Sequence, residues 1–224
     1  MNNFIQYILQ FDKFFLDKVQ GATSHEISQL EKQTGQKLPL FYKKFLTLMG
    51  HNTGDLKIAW ECNFNILYLL DIYEDQLGIP EKYIVIAYGG MTIEELYIEC
   101  IEKEEDGPIF FLEEESNLPI IYADSLEKLL FRTVFIRYEW PLFPYKIDLN
   151  EGIKNKSTIE KLAIEKLGYH KQWFSDSVTF CGYKDNSAII VSQFEGERCC
   201  VSISAKNIWE FLKVIFFMKL KSAF

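Results

Sequence analysis

The sequence is poor in the residues that most often carry metal and nucleophile chemistry. Its 224 residues include only three histidines, and five cysteines at positions 62, 100, 181, 199 and 200. The cysteines are odd in number and scattered, so we predict no disulfide framework and a reducing, cytoplasmic environment. No cysteine or histidine pair has the close spacing of a structural zinc site. The adjacent Cys199 and Cys200 should instead point to opposite faces of a strand, one of them into a core.

Catalytic motifs are equally scarce. The sequence contains no G-x-S-x-G elbow, no P-loop and no glycine pattern of a dinucleotide-binding turn. We therefore predict a protein that is not an enzyme, with no metal and no cofactor. One enzymatic alternative stays open, because His51 could act with Asp55 as a general base. A polar loop between two elements is the more ordinary interpretation of residues 51–55.

Long apolar runs are also absent. The longest near a terminus is about 13 residues, 208–220, and it is interrupted by Glu210, Lys213 and Lys219, whereas a membrane span needs about 20. Residues 1–10 carry no positive charge before their apolar residues, so we expect no secretory leader. We predict no membrane partner.

Basic residues are scarce in one part of the chain. The formal net charge is -8. Residues 1–150 hold 13 Lys and Arg against 24 Asp and Glu, whereas residues 151–224 hold 11 against 8. Between residues 94 and 127 there are 12 acidic residues and a single base, Lys103. Such a surface repels phosphate, so we predict no nucleic-acid partner.

The acidic stretch is the predicted docking surface for a basic protein partner, because complementary charge favours that encounter. Two other interpretations stay open. Charges along a hairpin edge can simply be solvated and block edge-to-edge aggregation, and converging carboxylates can form a glycosidase or divalent-metal site. The residues predicted for docking are Glu94, Glu99, Glu102, Glu104, Glu105, Asp106, Glu113, Glu114 and Glu115.

The first part of the chain shows helical patterns. Apolar spacings of three and four predict an amphipathic helix over residues 4–19. Thr23 and Glu26 have the spacing of a capping box at the start of the next helix, and Gly35 is placed to end it in a left-handed conformation. Pro39 suits the first turn of a third helix, which Gly50 ends.

Extended patterns follow. Alternation and a short apolar run predict extended structure between residues 55 and 70, and β-branched residues predict a strand over 83–88. Residues 96–101 and 109–112 are predicted to form an antiparallel hairpin with an acidic connection, since Gly107 and Pro108 separate them. Residues 125–135 return to a helical pattern.

The last part of the chain begins after a break at residues 140–150, where Pro141 and Pro144 cannot donate ladder hydrogen bonds. A helix over 157–167, strands over 177–182, 188–194 and 199–203, and a closing helix over 208–220 then predict a small α-β-β-β-α unit. The closing helix is apolar nearly all round, which favours burial in its own unit. A partner-binding face is the alternative for its aromatic residues Trp209, Phe211, Phe216 and Phe217.

A family resemblance lies in the first part. The pattern Ile27-x-x-Leu30-Glu31-x-x-x-Gly35-x-x-Leu38-Pro39-x-x-Tyr42-Lys43-x-Phe45-Leu46, together with segments 84–90 and 123–130, resembles the SUKH superfamily over residues 19–137. That superfamily includes the yeast regulator of cell-wall glucan synthesis and many bacterial immunity proteins. The resemblance implies an α+β fold with a mixed or antiparallel sheet, and tight binding that neutralises a toxin.

The predicted organisation combines these interpretations. Residues 1–138 form a SUKH-like, cell-wall assembly regulator-like domain with N-terminal helices, a mixed or antiparallel sheet and a closing helix, and residues 139–224 form a C-terminal α+β extension. The expected function is that of a non-enzymatic immunity protein whose partner is a basic toxin domain. The alternative is a regulatory or scaffold protein of cell-wall glucan synthesis.

Overall fold

The chain divides into two compact units, an N-terminal unit of Met1–Thr133 and a C-terminal unit of Val134–Phe224, each treated by itself below. The structure is a computed structural model. It describes residues 1–59, 62–74, 82–89, 95–101, 104–113, 118–149, 155–194 and 199–222, the last of these without the side chains of 217–222. Helices and antiparallel sheets occur in both units, which confirms the predicted α+β class.

The N-terminal unit begins with four helices and a two-residue strand pair. They are α1 Asn2–Ile8, α2 Phe15–Lys18, β1 Val19–Gln20, α3 Ser24–Thr34, α4 Leu40–Met49 and β2 Asn52–Thr53. The single helix predicted over residues 4–19 is wrong. The Asp12 carboxylate accepts a hydrogen bond from the Phe14 N–H at 3.2 Å, a local turn bond that competes with the helix and that apolar spacing does not reveal.

The structure shows where each predicted residue at the ends of α3 and α4 lies. Thr23 and Glu26 form the reciprocal capping box of α3, and Gly35 ends that helix with φ of 68°. Both predictions are confirmed. Pro39 differs slightly, because it is the N-cap residue of α4 and not part of its first turn.

Residues 66–70, predicted as extended, begin α5, which spans Ile66–Glu74. Ile66, Leu69 and Leu70 are buried at spacings of three and one, which suits one face of a helix. The Asn65 side chain accepts a hydrogen bond from the Leu67 N–H at 2.9 Å and so starts the helix. Residues 56–58 form no strand, although Leu56 and Ile58 are buried on either side of the exposed Lys57 as their alternation predicts, and Trp60 lies outside the described residues.

The N-terminal unit is completed by a four-stranded antiparallel sheet in the order β3-β4-β5-β6 and by a helix. These elements are β3 Tyr83–Tyr88, β4 Glu95–Glu99, β5 Ile109–Leu112, β6 Pro119–Ala123 and α6 Leu126–Val134. Tyr97 pairs with Phe110 and Ile98 with Ile109, so the predicted hairpin of β4 and β5 is confirmed.

The C-terminal unit contains a five-stranded antiparallel sheet in the order β7-β11-β10-β9-β8. Its elements are a π-helical segment Phe135–Glu139, a 3-10 turn Trp140–Leu142, β7 Tyr145–Leu149, α7 Lys156–Glu165, β8 His170–Lys171, β9 Thr179–Lys184, β10 Ser187–Ser192, β11 Cys200–Ala205 and α8 Ile208–Ser222. The three predicted strands are the inner ones. The two edge strands were missed, β7 because it follows Pro144 within the predicted break, a place that an edge strand tolerates.

The core of the C-terminal unit lies between its sheet and its two α-helices. Ile159 and Ala163 of α7 and Val214 of α8 join Ile189 and Val201 of the sheet in one buried cluster. Cys199 belongs to the same cluster whereas Cys200 is exposed, so the predicted alternation of the two thiols is confirmed.

Candidate functional site

Of the described docking residues, Glu99 lies in β4, residues 104–106 precede β5, and Glu113 directly follows β5. Glu99, Glu104, Glu105, Asp106 and Glu113 are described by the structure. The remaining four, Glu94, Glu102, Glu114 and Glu115, lie outside the described residues.

The register of β4 and β5 divides the acidic residues between two ends of the sheet. Because the two strands are antiparallel, Glu99 and residues 104–108 lie at one end, while Glu95 and Glu113 lie at the other. Glu95 and Glu99 lie four positions apart in β4, a distance of about 13 Å along the strand. We call the first of these the β4–β5 end and the second the β5–β6 end.

At the β4–β5 end, Asp106 supports the start of a helix. Its carboxylate accepts hydrogen bonds from the N–H groups of Gly107 at 2.9 Å, Leu126 at 3.3 Å and Glu127 at 2.9 Å. A carboxylate at a helix N-terminus satisfies exposed N–H groups and interacts favourably with the helix dipole. Burial raises the pKa of Asp106 above its usual value, and the three N–H donors oppose that rise. Asp106 is therefore engaged within the fold.

The neighbouring carboxylates of this end are more accessible. Glu104 and Glu105 are exposed, although the main-chain oxygen of Glu105 accepts a hydrogen bond from the Phe41 N–H at 2.7 Å, at the start of α4. The Glu99 carboxylate lies 3.7 Å from Lys82 Nζ. The β4–β5 end thus touches the first turns of two helices, and a lysine offsets part of its charge.

The β5–β6 end has a different character. Glu113 is exposed, and its N–H donates to the Leu118 oxygen at 3.0 Å. Leu118 is 62 % exposed. Across the sheet, Tyr88 pairs with Glu95, and the Tyr97 hydroxyl donates to the Glu95 carboxylate. Carboxylates and an accessible leucine therefore share this end.

Helix α5 adds aromatic surface beside the β5–β6 end. The ring of Tyr68 lies 5.8 Å from that of Tyr88. Leu67 and Tyr68 remain 49 % and 43 % exposed, and Asp71 is exposed one turn further along. We include Leu67 and Tyr68 in the β5–β6 end from here on.

These α5 residues were missed because residues 66–70 were predicted as extended. A signal for them existed in the charge pattern. Residues 58–127 hold 17 acidic residues and only two bases, Lys82 and Lys103, so the acidic excess begins well before residue 94 and includes α5.

The free edge of β3 is occupied by other groups of the same unit. The Val85 N–H donates to the Tyr73 hydroxyl at 2.8 Å, and Asn63 exchanges two main-chain hydrogen bonds with Tyr88. An edge covered in this way does not offer a row of open donors and acceptors to an incoming strand.

The enzymatic alternative required His51 and Asp55 to meet, and the structure gives each a different partner. His51 Nε2 lies 3.0 Å from the Glu26 carboxylate, and the Asp55 carboxylate lies 2.7 Å from Lys18 Nζ. The predicted pair is therefore wrong. Glu26 also accepts from the Thr23 N–H, and this bond is the main reason why the pKa of Glu26 falls below its usual value.

Two further features bear on function. Within the part of the chain that the structure describes, no group of three His, Cys, Asp or Glu residues could hold a metal ion. Among the same residues, every helix is too short or too polar to cross a bilayer.

Comparison with known proteins gave one match. The model of the SMI1/KNR4 family (SUKH-1) matches residues 21–132, half of the chain, and this range includes the caps of α3, both ends of the acidic sheet and most of α6. No curated protein and no solved structure matches the chain.

Proposed function

We propose that this chain, which belongs to the SMI1/KNR4 family (SUKH-1), is a non-enzymatic protein-binding module. In the bacterial setting it is an immunity protein that binds a basic toxin domain and neutralises it. The observation that carries this proposal is the charge of one region. Residues 58–127 hold 17 acidic residues against two bases, and Glu104, Glu105 and Glu113 are exposed on the sheet built from this region.

The arrangement of the polar groups supports binding over chemistry. Glu26 and Asp106 hold the first turns of α3 and α6, and His51 bonds to Glu26. The exposed carboxylates, in contrast, lie at two ends of the sheet. Complementary charge on a partner would raise the rate of encounter and reject partners of the wrong sign.

Charge reversal tests the proposal. Glu104, Glu105 and Glu113 are replaced together by Lys, and association is measured with the protein that co-purifies with the chain from its native cells. Electrostatic steering predicts that the association rate falls about tenfold at low salt and less at moderate salt. A control variant, Glu165→Lys with Asp185→Lys, reverses two exposed charges of the C-terminal unit and should change little. Equal rates for the triple variant and the unmodified protein would contradict the proposal.

A regulatory or scaffold role in cell-wall glucan synthesis is the second candidate. It is favoured by α8, which leaves Trp209 79 % and Phe216 67 % exposed outside the matched residues 21–132. A toxin that docks on the acidic sheet alone would not use these side chains. The two roles differ in the number of partners, because an immunity protein should co-purify with one toxin whereas a scaffold should co-purify with several proteins of the wall-synthesis machinery.

A further inference from the structure

We propose that the outer edge of β7 is a self-association surface, and that its occupant is the β7 edge of a second copy of this chain. The strand spans Tyr145–Leu149 and ends the five-stranded sheet of the C-terminal unit. It lies outside the matched residues 21–132, so this inference goes beyond the proposed function and does not depend on it.

The first reason is the position of β7 at the edge of its sheet. Among the strands that the structure describes, β11 alone pairs with it. An edge strand presents a row of main-chain N–H and C=O groups to which another strand can be added. The opposite edge strand, β8, has only two residues, His170 and Lys171, and therefore offers a much shorter row.

The second reason is that the sequence of β7 is complementary to itself. Residues directly opposite each other in an antiparallel pair lie on the same face of the sheet. A twofold axis through Ile147 places Lys146 opposite Asp148 of the second copy, and the same pair occurs again on the other side of the axis. Tyr145 then lies opposite Leu149 of the second copy. Opposite charges and apolar pairs across two strands stabilise a sheet.

Other registers of the same two strands lack this match. An axis through Lys146 or Asp148 brings identical charges together, which destabilises the pair. An axis through Tyr145 or Leu149 leaves most of the strand unpaired, and an axis between adjacent residues pairs side chains from opposite faces. Lys146 and Asp148 are exposed, whereas Ile147 and Leu149 pack against the core, so the charge match lies on the solvent face of the sheet.

The third reason is the orientation of α8, which packs over β11 and β7. The ring of Phe211 in α8 lies 6.0 Å from that of Tyr145 in β7. Glu210 forms an ion pair with Lys184 of β9, so the Glu210 side of the helix faces the inner strands. The opposite flank of α8 therefore faces outward, past the edge strand β7.

That outward flank carries exposed apolar side chains. Successive residues of a helix are rotated by about 100°, which places Ile208 and Leu212 each about 160° from Glu210. Ile208 is 39 % exposed and Leu212 48 %. Two apolar side chains one turn apart thus form a short stripe beside the open edge of the sheet.

The spacing of the joined sheet suits the packing of the two helices. Neighbouring strands are about 4.8 Å apart, so a helix above the boundary of β7 and β11 lies about 5 Å from the twofold axis. The two copies of α8 are then about 10 Å apart, at the upper end of the range for packed helices. The same axis that pairs the strands therefore brings the stripe of Ile208 and Leu212 against the second α8.

Sedimentation equilibrium of the purified full-length chain tests the strand pairing. We expect a dimer at about 0.1 mM. Lys146→Glu and Asp148→Lys each place two like-charge pairs across the axis, and each should weaken the dimer about tenfold. An equal mixture of the two variants restores opposite charges at both positions, so a heterodimer should form with the affinity of the unmodified chain. The control Lys161→Glu reverses an exposed charge of α7 and should leave the dimer unchanged.

A second pair of variants tests the helix flank without changing the strand. Leu212→Ser should weaken the dimer about tenfold, because the apolar side chain is lost from both copies. Ile164→Ser is the matched control, since Ile164 is 39 % exposed on α7, and it should have no effect. Equal dissociation constants for these two variants would overturn the inference. A chain that stays monomeric up to about 0.5 mM would also overturn it, as would a mixture of the two charge variants that associates no better than either alone.

Discussion

The two ends of the four-stranded sheet carry charge of the same sign but use their carboxylates for different purposes. At the β4–β5 end, Asp106 binds main-chain N–H groups at the start of α6, and Lys82 offsets Glu99. At the β5–β6 end, Glu113 is exposed, and its N–H donates to the main-chain oxygen of the accessible Leu118. Acidic residues that are close in sequence can thus be engaged at a helix start, as Asp106 is, or be exposed, as Glu113 is.

The largest expected effect is the difference in stability between two glycine variants, one at each end of the four-stranded sheet. In Gly107→Ala the new Cβ would collide with the Glu99 main-chain oxygen, which cannot move without opening the hairpin. We expect a loss of about 3 kcal/mol in the free energy of unfolding. Gly89 has φ of 74°, and no atom of the described residues lies within 4 Å of an added Cβ, so Gly89→Ala should cost only about 1 kcal/mol, from backbone strain. Chemical denaturation of both variants measures the difference, and equal losses would contradict it.

The next effect is the difference in stability between variants of two carboxylates, one at each end of the sheet. Asp106→Ala removes the acceptor of three N–H groups and should lower the free energy of unfolding by about 2 kcal/mol. Glu113→Ala changes an exposed side chain and should cost less than about 0.5 kcal/mol. Chemical denaturation of both variants measures the two losses in the free energy of unfolding. A loss for Glu113→Ala as large as that for Asp106→Ala would remove the distinction between the two ends.

Acid sensitivity extends the comparison to Glu26, a third carboxylate at a helix start. The pKa of Glu26 is lowered in the folded state, chiefly by the Thr23 N–H. Its stabilising effect is therefore present above its ordinary pKa of 4.5 and is lost as the pH falls through the lower folded value. Glu26→Gln should cost about 1 kcal/mol at pH 7, and the gap to the unmodified protein should shrink below about pH 4.5. A gap that is constant from pH 7 to pH 3 would contradict the linkage.

The smallest effect concerns Lys82, whose charge offsets that of Glu99 at the β4–β5 end. Lys82→Ala removes an exposed ion pair of 3.7 Å and should leave the stability nearly unchanged. It should, however, make the β4–β5 end more negative. An amphipathic peptide of about 18 residues built from Leu and Lys should then produce larger backbone amide NMR shifts near Glu99 and Glu104 than it does with the unmodified protein. Equal shifts near Glu99 and Glu104 in the variant and in the unmodified protein would contradict the role of Lys82 in offsetting the charge of this end.

Local signals predicted the features that depend on neighbouring residues. The capping box of Thr23 and Glu26, the left-handed Gly35 and the hairpin of β4 and β5 were all correct, because spacing and backbone chemistry act within a few positions. Helix α5 was missed because an apolar run of five residues has no distinct period and suits a strand as well as a helix. The closing helix α8 was predicted as buried, which holds for Val214 but not for Trp209.

By itself, the sequence determined the α+β class, the helix caps of α3 and the acidic excess, because these follow from composition and from contacts within a few residues. Only the tertiary structure decided which carboxylates are engaged within the fold and which are exposed. Asp106 reaches the N–H groups of Leu126 and Glu127, about 20 positions later in the chain, and strand register places Glu99 and Glu113 at opposite ends of one sheet. Both outcomes depend on how distant segments pair, and pairing between distant segments leaves no pattern in the spacing of neighbouring residues.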